Sequence, residues 1–128
     1  VGLLRLILSG IFDRLPALQV ILGHWGELVL FYAERLAVMD RFTGLKHPIL
    51  HYLQEHLYVT ASGMFLPHYL ERAKAVVGAH RLLFSTDYPY QYRSGHDASR
   101  FLSESGLDEA QQAAFAHGNW QRLTATQR

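Results

Sequence analysis

The chain has 128 residues and a mass of 14.6 kDa, with 12 Lys plus Arg against 11 Asp plus Glu, a formal net charge of +1, 49% hydrophobic residues and no cysteine. That is one domain's worth of chain or part of a larger one, with enough apolar residues for a core. The balanced charge, without a long run of one sign, argues against nucleic acid or an anionic membrane as partner, and the lack of cysteine excludes a disulfide scaffold and a thiolate metal site.

Leu4, Ile7, Leu8, Ile11, Phe12 and Leu15 recur at helical spacing up to Pro16, so the pattern predicts a helix over residues 2–14. This apolar start lacks the charged opening of a signal peptide, and Gly10 and Asp13 interrupt it well short of a membrane span. Together with the absence of cysteine it suggests a cytoplasmic protein. Its beginning at Val1, inside an amphipathic pattern, reads as a cut through a longer protein.

Val20-Ile21-Leu22-Gly23-His24 has the look of a strand buried on both faces that stops at a histidine. Gly23 and Gly26 bracket His24 and permit a sharp turn. Leu28, Phe31, Tyr32, Leu36 and Met39 then mark a helical face running from that turn to about Arg41. Residues 43–48 read as loop and 49–55 as a short helix. Leu57-Tyr58-Val59-Thr60-Ala61 is the second predicted strand, ending at Ser62-Gly63. Pro67 suits the first turn of a helix to Val77, with Gly78 as its C-terminal cap. Arg81 to Phe84 is the third strand, with Ser85-Thr86-Asp87 at its mouth and a polar loop from Tyr88 to Gly95. Short helices over 98–104 and 108–116 follow, and Asn119 reads as an N-cap for a last turn through Leu123. The order of elements is that of successive βα units in a parallel sheet or barrel, where chemistry sits at the C-terminal ends of the strands.

His24 and Asp87 end the first and third strands, so one intervening strand would let them converge. Imidazole and carboxylate are ligands of Zn²⁺ and of harder divalent ions, and the same pair moves protons at neutral pH. A rim histidine bonded to backbone and a loop carboxylate capping a turn are the structural alternatives. Glu27 either fixes the tautomer of His24 or serves only the dipole of the helix it begins. His47 and His51 have a metal-like spacing only if Pro48 leaves both on one helical face, and a solvated or capping role is preferred for them and for His56. His68, His80 and His117 read as surface or helix-end residues, whereas His96 ends the loop after Asp87 and could fold over the same rim.

The strings Phe12-Asp13-Arg14-Leu15-Pro16, Ile21-Leu22-Gly23-His24-Trp25-Gly26-Glu27, Tyr58-Val59-Thr60-Ala61-Ser62-Gly63, Leu83-Phe84-Ser85-Thr86-Asp87-Tyr88-Pro89 and the terminal Gly118-Asn119-Trp120-Gln121-Arg122-Leu123 resemble, in this order, the C-terminal half of the amidohydrolase-2 family. That family holds metal-dependent (β/α)₈-barrel decarboxylases and hydrolases such as the γ-resorcylate and aminocarboxymuconate-semialdehyde decarboxylases. The resemblance implies an α/β fold: about three parallel strands with flanking helices, the last βα units of a TIM barrel, with residues 1–128 a single partial domain. It makes Asp87 the metal ligand and a proton carrier, His24 the catalytic histidine with Glu27 against it, and places Ser62 near the substrate; Trp25, next to His24, and His96, at the end of the loop after Asp87, join Ser62 as substrate-contact candidates. It also implies a divalent metal, Zn²⁺ first and Mn²⁺ second, held only in the full-length protein, and a small-molecule carboxylate substrate. The expected reaction is non-oxidative decarboxylation of an aromatic or unsaturated acid, with hydrolysis of a lactone or ester, or a non-catalytic binding or assembly module, as alternatives. The family's first-strand metal motif and fifth-strand histidine have no counterpart here, so the segment alone is expected to be inactive. Three strands cannot close a barrel, and their unpaired edges and uncovered apolar helix faces point to a homo-oligomer. The isolated chain is therefore expected to self-associate, and a monodisperse monomer in sedimentation at tens of micromolar would count against this.

Overall fold

The computed structural model describes residues 1–91 and 95–125; part of the loop expected between Tyr88 and Gly95 lies outside the described residues. Three short strands, β1 (Val20–Leu22), β2 (Leu57–Thr60) and β3 (Leu82–Leu83), form one sheet in the order β1-β2-β3. Both pairings are parallel, with Ile21 opposite Tyr58 and Thr60 opposite Leu83. All three strands therefore end at the same rim. Strands two to four residues long suffice because helices cover one face: Leu57, Val59 and Leu82 are fully buried with Leu53, Leu70 and Ala73. Full burial of each such aliphatic side chain contributes about 1.5–3 kcal/mol.

The expected first helix is two. α1 (Gly2–Leu8) and α2 (Ile11–Arg14) are separated at Gly10, whose φ of 70° is left-handed and which the apolar periodicity runs straight across. The helix expected after the Gly26 turn is also shorter. Residues 28–32 form turns, and α3 spans only Ala33–Ala37 before tightening into a 3₁₀ segment over Val38–Phe42. α4 (Ile49–His56) passes directly into β2, and α5 (Pro67–Val77) starts on proline and stops at Gly78, as expected. α6 (Asp97–Ser103) and α7 (Glu109–Ala113) follow, the latter capped reciprocally by Asp108 and Gln111. A wider-wound turn over Ala114–Gly118 then leads into α8 (Asn119–Ala125). Among the described residues no helix is long and apolar enough to cross a membrane.

Asn119 is not an N-cap. Its fully buried side chain donates from Nδ2 to the carbonyls of Ala79 (2.9 Å) and Leu82 (2.8 Å), and its Oδ1 accepts from Arg122 at 2.7 Å. Arg122 also donates to the His80 carbonyl at 3.0 Å. The closing Asn-x-x-Arg-Leu string thus ties α8 to the entry of β3. Leu123 packs with Tyr58 and Leu83 on the sheet face opposite the main core.

The residues that precede the strands form a polar cluster at the end of the sheet away from the rim. The Tyr52 hydroxyl donates to Asp13 Oδ1 at 2.6 Å and accepts from the His47 N–H at 3.1 Å, while the Lys46 N–H donates to Asp13 Oδ2 at 3.1 Å. His47 and His51 stack on each other at 4.2 Å, and His56, buried, bonds through Nδ1 to the Leu18 carbonyl at 2.9 Å. The Tyr52 hydroxyl and then the Lys46 N–H hold the Asp13 carboxyl below the usual carboxylate range, whereas burial and then Asp13 push the Tyr52 phenol up. A depressed native carboxyl adds stability above its unfolded value and loses it as pH falls through the native one. Tyr52→Phe is accordingly expected to lower the urea midpoint at neutral pH, and the gap to the parent protein is expected to shrink on acidification through the carboxylate range. A gap that stays constant with pH would show that Asp13 is not responsible.

Candidate active site

The site is built where each strand turns into the loop that follows it. After β1, Gly23 remains extended and then His24 (φ 51°) and Trp25 (φ 55°) turn left-handed. Bonds from Gly26 N to Gly23 O and from Glu27 N to His24 O, both 2.9 Å, close the turn. A left-handed residue with a side chain costs on the order of 1–3 kcal/mol and persists only where its surroundings over-determine it. Here the surroundings are visible. The Trp25 indole is 1% exposed, donates from Nε1 to the Met64 carbonyl at 2.8 Å, and packs against Phe101 and Phe115. The His24 backbone N–H donates to Ser62 Oγ at 3.0 Å.

Ser62, at the end of β2, is left-handed as well (φ 45°). Its hydroxyl shares a 2.7 Å hydrogen bond with Thr60 Oγ1, and its N–H donates to Ser85 Oγ at 2.8 Å. Gly63 follows, its N–H donating to the Ser85 carbonyl at 3.0 Å. Asp87 (φ 58°) ends the segment after β3, its carbonyl accepting from the N–H groups of Tyr90 (2.8 Å) and Gln91 (3.1 Å).

These turns bring the two outer strands' polar residues together. His24 Nε2 lies 3.6 Å from Asp87 Oδ2, and His24 Nδ1 lies 3.8 Å from Glu27 Oε1. Both separations exceed hydrogen-bond length, so neither carboxylate is bonded directly to the ring. The imidazole is 40% exposed and Asp87 24%, so a ligand can reach the pair, whereas Glu27 is 75% exposed. Glu27 is not in a helical first turn: its φ is 54°, and α3 begins six residues later at Ala33. The dipole alternative therefore lapses and the contact with His24 stands.

The three substrate-contact candidates sit in three different settings. Trp25 is in the core, because its indole anchors the turn from below. Ser62 is 7% exposed and its hydroxyl is engaged by the His24 N–H and Thr60. His96 is exposed at the start of α6, where its carbonyl accepts from Arg100 N and Ser99 Oγ. Among the described residues no hydrogen bond, ion pair or ring contact joins it to His24 or Asp87. Thr60 and Ser85 were not singled out by sequence, although a hydroxyl at successive strand ends was the available signal.

The donor chemistry suits part of a divalent-metal site: one carboxylate, one imidazole and no thiolate. Among the described residues no group of three or more His, Asp or Glu gathers closely enough to hold an ion. Asp87 would supply one ligand, and the others would have to come from elsewhere.

Residues 3–123 match the family model described as Amidohydrolase. The chain belongs to the amidohydrolase family. Its three strands and flanking helices are part of a (β/α)₈ barrel of that kind. It is 39% identical over 126 residues to a γ-resorcylate decarboxylase of Polaromonas sp., covering 94% of this chain and 38% of the relative. It is also similar to a crystal structure of 2,6-dihydroxybenzoate decarboxylase complexed with 2,6-dihydroxybenzoate (TM-score 0.84, 32% identity, 95% of this chain and 39% of that one). A third likeness is to 5-carboxyvanillate decarboxylase from Novosphingobium aromaticivorans, complexed with manganese and 4-hydroxy-3-methoxy-5-nitrobenzoic acid (TM-score 0.88, 31% identity, 96% of this chain and 37% of that one). The chain thus spans well under half the length of these amidohydrolase relatives.

The turn that presents Asp87 leans on Gly63. A Cβ there would lie 2.5 Å from Gln91 Cβ and 2.7 Å from the Thr86 carbonyl, at a φ of 72° that side chains avoid. Gly63→Ala is expected to destabilise the fold by about 1–3 kcal/mol, measured by urea denaturation, through displacement of the 86–91 segment. An unchanged midpoint would show that this turn yields freely.

Proposed function

We propose that these 128 residues form a single partial domain, the C-terminal portion of a divalent-metal-dependent, non-oxidative decarboxylase of a hydroxylated aromatic acid. The observation that carries the reading is the approach of His24 and Asp87 to 3.6 Å from the two outer strands, at the rim where barrel enzymes hold substrate. The identities with γ-resorcylate and dihydroxybenzoate decarboxylases support the substrate class, and the manganese in the 5-carboxyvanillate enzyme supports the kind of ion. Manganese therefore replaces zinc as the first choice.

A divalent ion, when bound, would supply positive charge that stabilises the negative charge developing on the substrate as CO₂ leaves. Asp87 would be its ligand from this chain. Loss of CO₂ breaks the bond between ring and carboxyl carbon, leaves the electron pair on the ring carbon, and requires one proton there. Asp87 or His24 delivers that proton. The second of the pair, within ion-pair distance, resupplies it, and Glu27 beside Nδ1 keeps the imidazole oriented.

In the full-length protein, Asp87→Asn is expected to abolish conversion of 2,6-dihydroxybenzoate to resorcinol and CO₂, and removal of metal by chelation should do the same until Mn²⁺ or Zn²⁺ is restored. Substantial turnover by Asp87→Asn would refute its role. Ring opening with uptake of water, in place of CO₂ release, would replace decarboxylation by hydrolysis.

A further inference from the structure

The geometry points to Ser62 as a positioning residue: its hydroxyl holds the backbone of His24 in the left-handed conformation that aims the imidazole at Asp87. The inference rests on the function proposed above and adds a residue that acts through His24 and not on the substrate. The His24 N–H donates to Ser62 Oγ at 3.0 Å, a bond between residues 38 apart in sequence that crosses from the end of β1 to the end of β2. Ser62 Oγ is itself fixed, by Thr60 Oγ1 at 2.7 Å, and the Ser62 backbone is fixed by Ser85 Oγ at 2.8 Å. One hydroxyl network therefore spans the ends of all three strands.

A Cβ on Gly23 would stand 3.4 Å from Ser62 Oγ and 4.0 Å from Thr60 Oγ1, so the backbone of the β1 turn rests against the hydroxyl pair. The left-handed backbone at His24 is intrinsically disfavoured, and the bond to Ser62 is its direct tether. The Trp25 indole anchors the next residue on Met64, and the Gly26 N–H to Gly23 carbonyl bond closes the turn locally, whereas the Ser62 hydroxyl is the group that takes the His24 N–H itself. Removal of the hydroxyl would leave the His24 N–H without its acceptor and let the turn open, moving an imidazole whose partner is already 3.6 Å away. Positioning errors of this size reduce turnover while leaving substrate binding largely intact.

The test is a double-mutant cycle in the full-length protein with 2,6-dihydroxybenzoate as substrate. Ser62→Ala is expected to lower kcat about tenfold with KM changed less than about twofold, and His24→Gln to lower kcat about a hundredfold or more. If Ser62 works through His24, adding Ser62→Ala to His24→Gln changes kcat less than about twofold. A tenfold loss in both backgrounds would overturn positioning in favour of a general structural role, and no loss from Ser62→Ala alone would overturn it outright. Should Ser62→Ala fail to fold, Ser62→Gly removes the same hydroxyl from a residue whose φ of 45° suits glycine, and is expected to give the same pattern. His24→Gln with undiminished turnover would instead sink the catalytic assignment of His24, and the positioning inference with it.

Discussion

Neighbouring strands of a sheet lie about 4.8 Å apart, so β1 and β3, separated by β2, are roughly 10 Å apart at the backbone. Two side chains at their ends meet only by leaning inward over the end of the middle strand. His24 and Asp87 do so, reaching 3.6 Å, and each does it from a left-handed backbone. The end of β2 must then stay low. Ser62 does this by turning its hydroxyl into the protein, and Gly63 by presenting no side chain to the 86–91 segment.

All five left-handed residues with side chains among the described residues, His24, Trp25, Glu27, Ser62 and Asp87, belong to these strand ends. The strain is concentrated at the rim and offset next to it. Trp25 buries an indole and satisfies its N–H on Met64; Ser62 accepts from His24; the Asp87 carbonyl takes two donors from the turn it begins. Such sites hold a geometry in advance of a ligand, because the folding of the whole sheet pins the unfavourable backbone.

The strands and their polar ends were legible because both signals are local: a short apolar run, then a histidine, serine or aspartate. Parallel strand order put His24 and Asp87 at one rim, and their left-handed backbones complete the approach. What escaped was decided by backbone sign and side-chain direction. The apolar stripe of residues 2–14 runs unbroken through Gly10, and only a left-handed φ there divides it. The stripe from Leu28 to Met39 likewise hid a series of turns before Ala33, since the left-handed Glu27 delays the helix. Trp25 follows His24 in sequence, and Ser62 ends the strand between those of His24 and Asp87, but both turn their side chains into the protein. Adjacency therefore suggested contact where the fold delivers support.

The sheet separates two kinds of polar chemistry by its direction. At the entry of the strands, polar groups are mostly paired within the protein: Asp13 with Tyr52 and Lys46, Asn119 with two carbonyls and Arg122, Arg81 with Gln19 and the Leu57 carbonyl at 2.8 and 3.3 Å. Buried polar groups that are matched in this way fix register and helix docking, and would cost heavily if left unmatched. At the exit, His24 and Asp87 approach without a direct hydrogen bond and stay partly exposed. A pair held close but unconsummated keeps lone pairs and protons available to an incoming ion or acid. Its geometry is set by the surrounding turns and not by its own attraction.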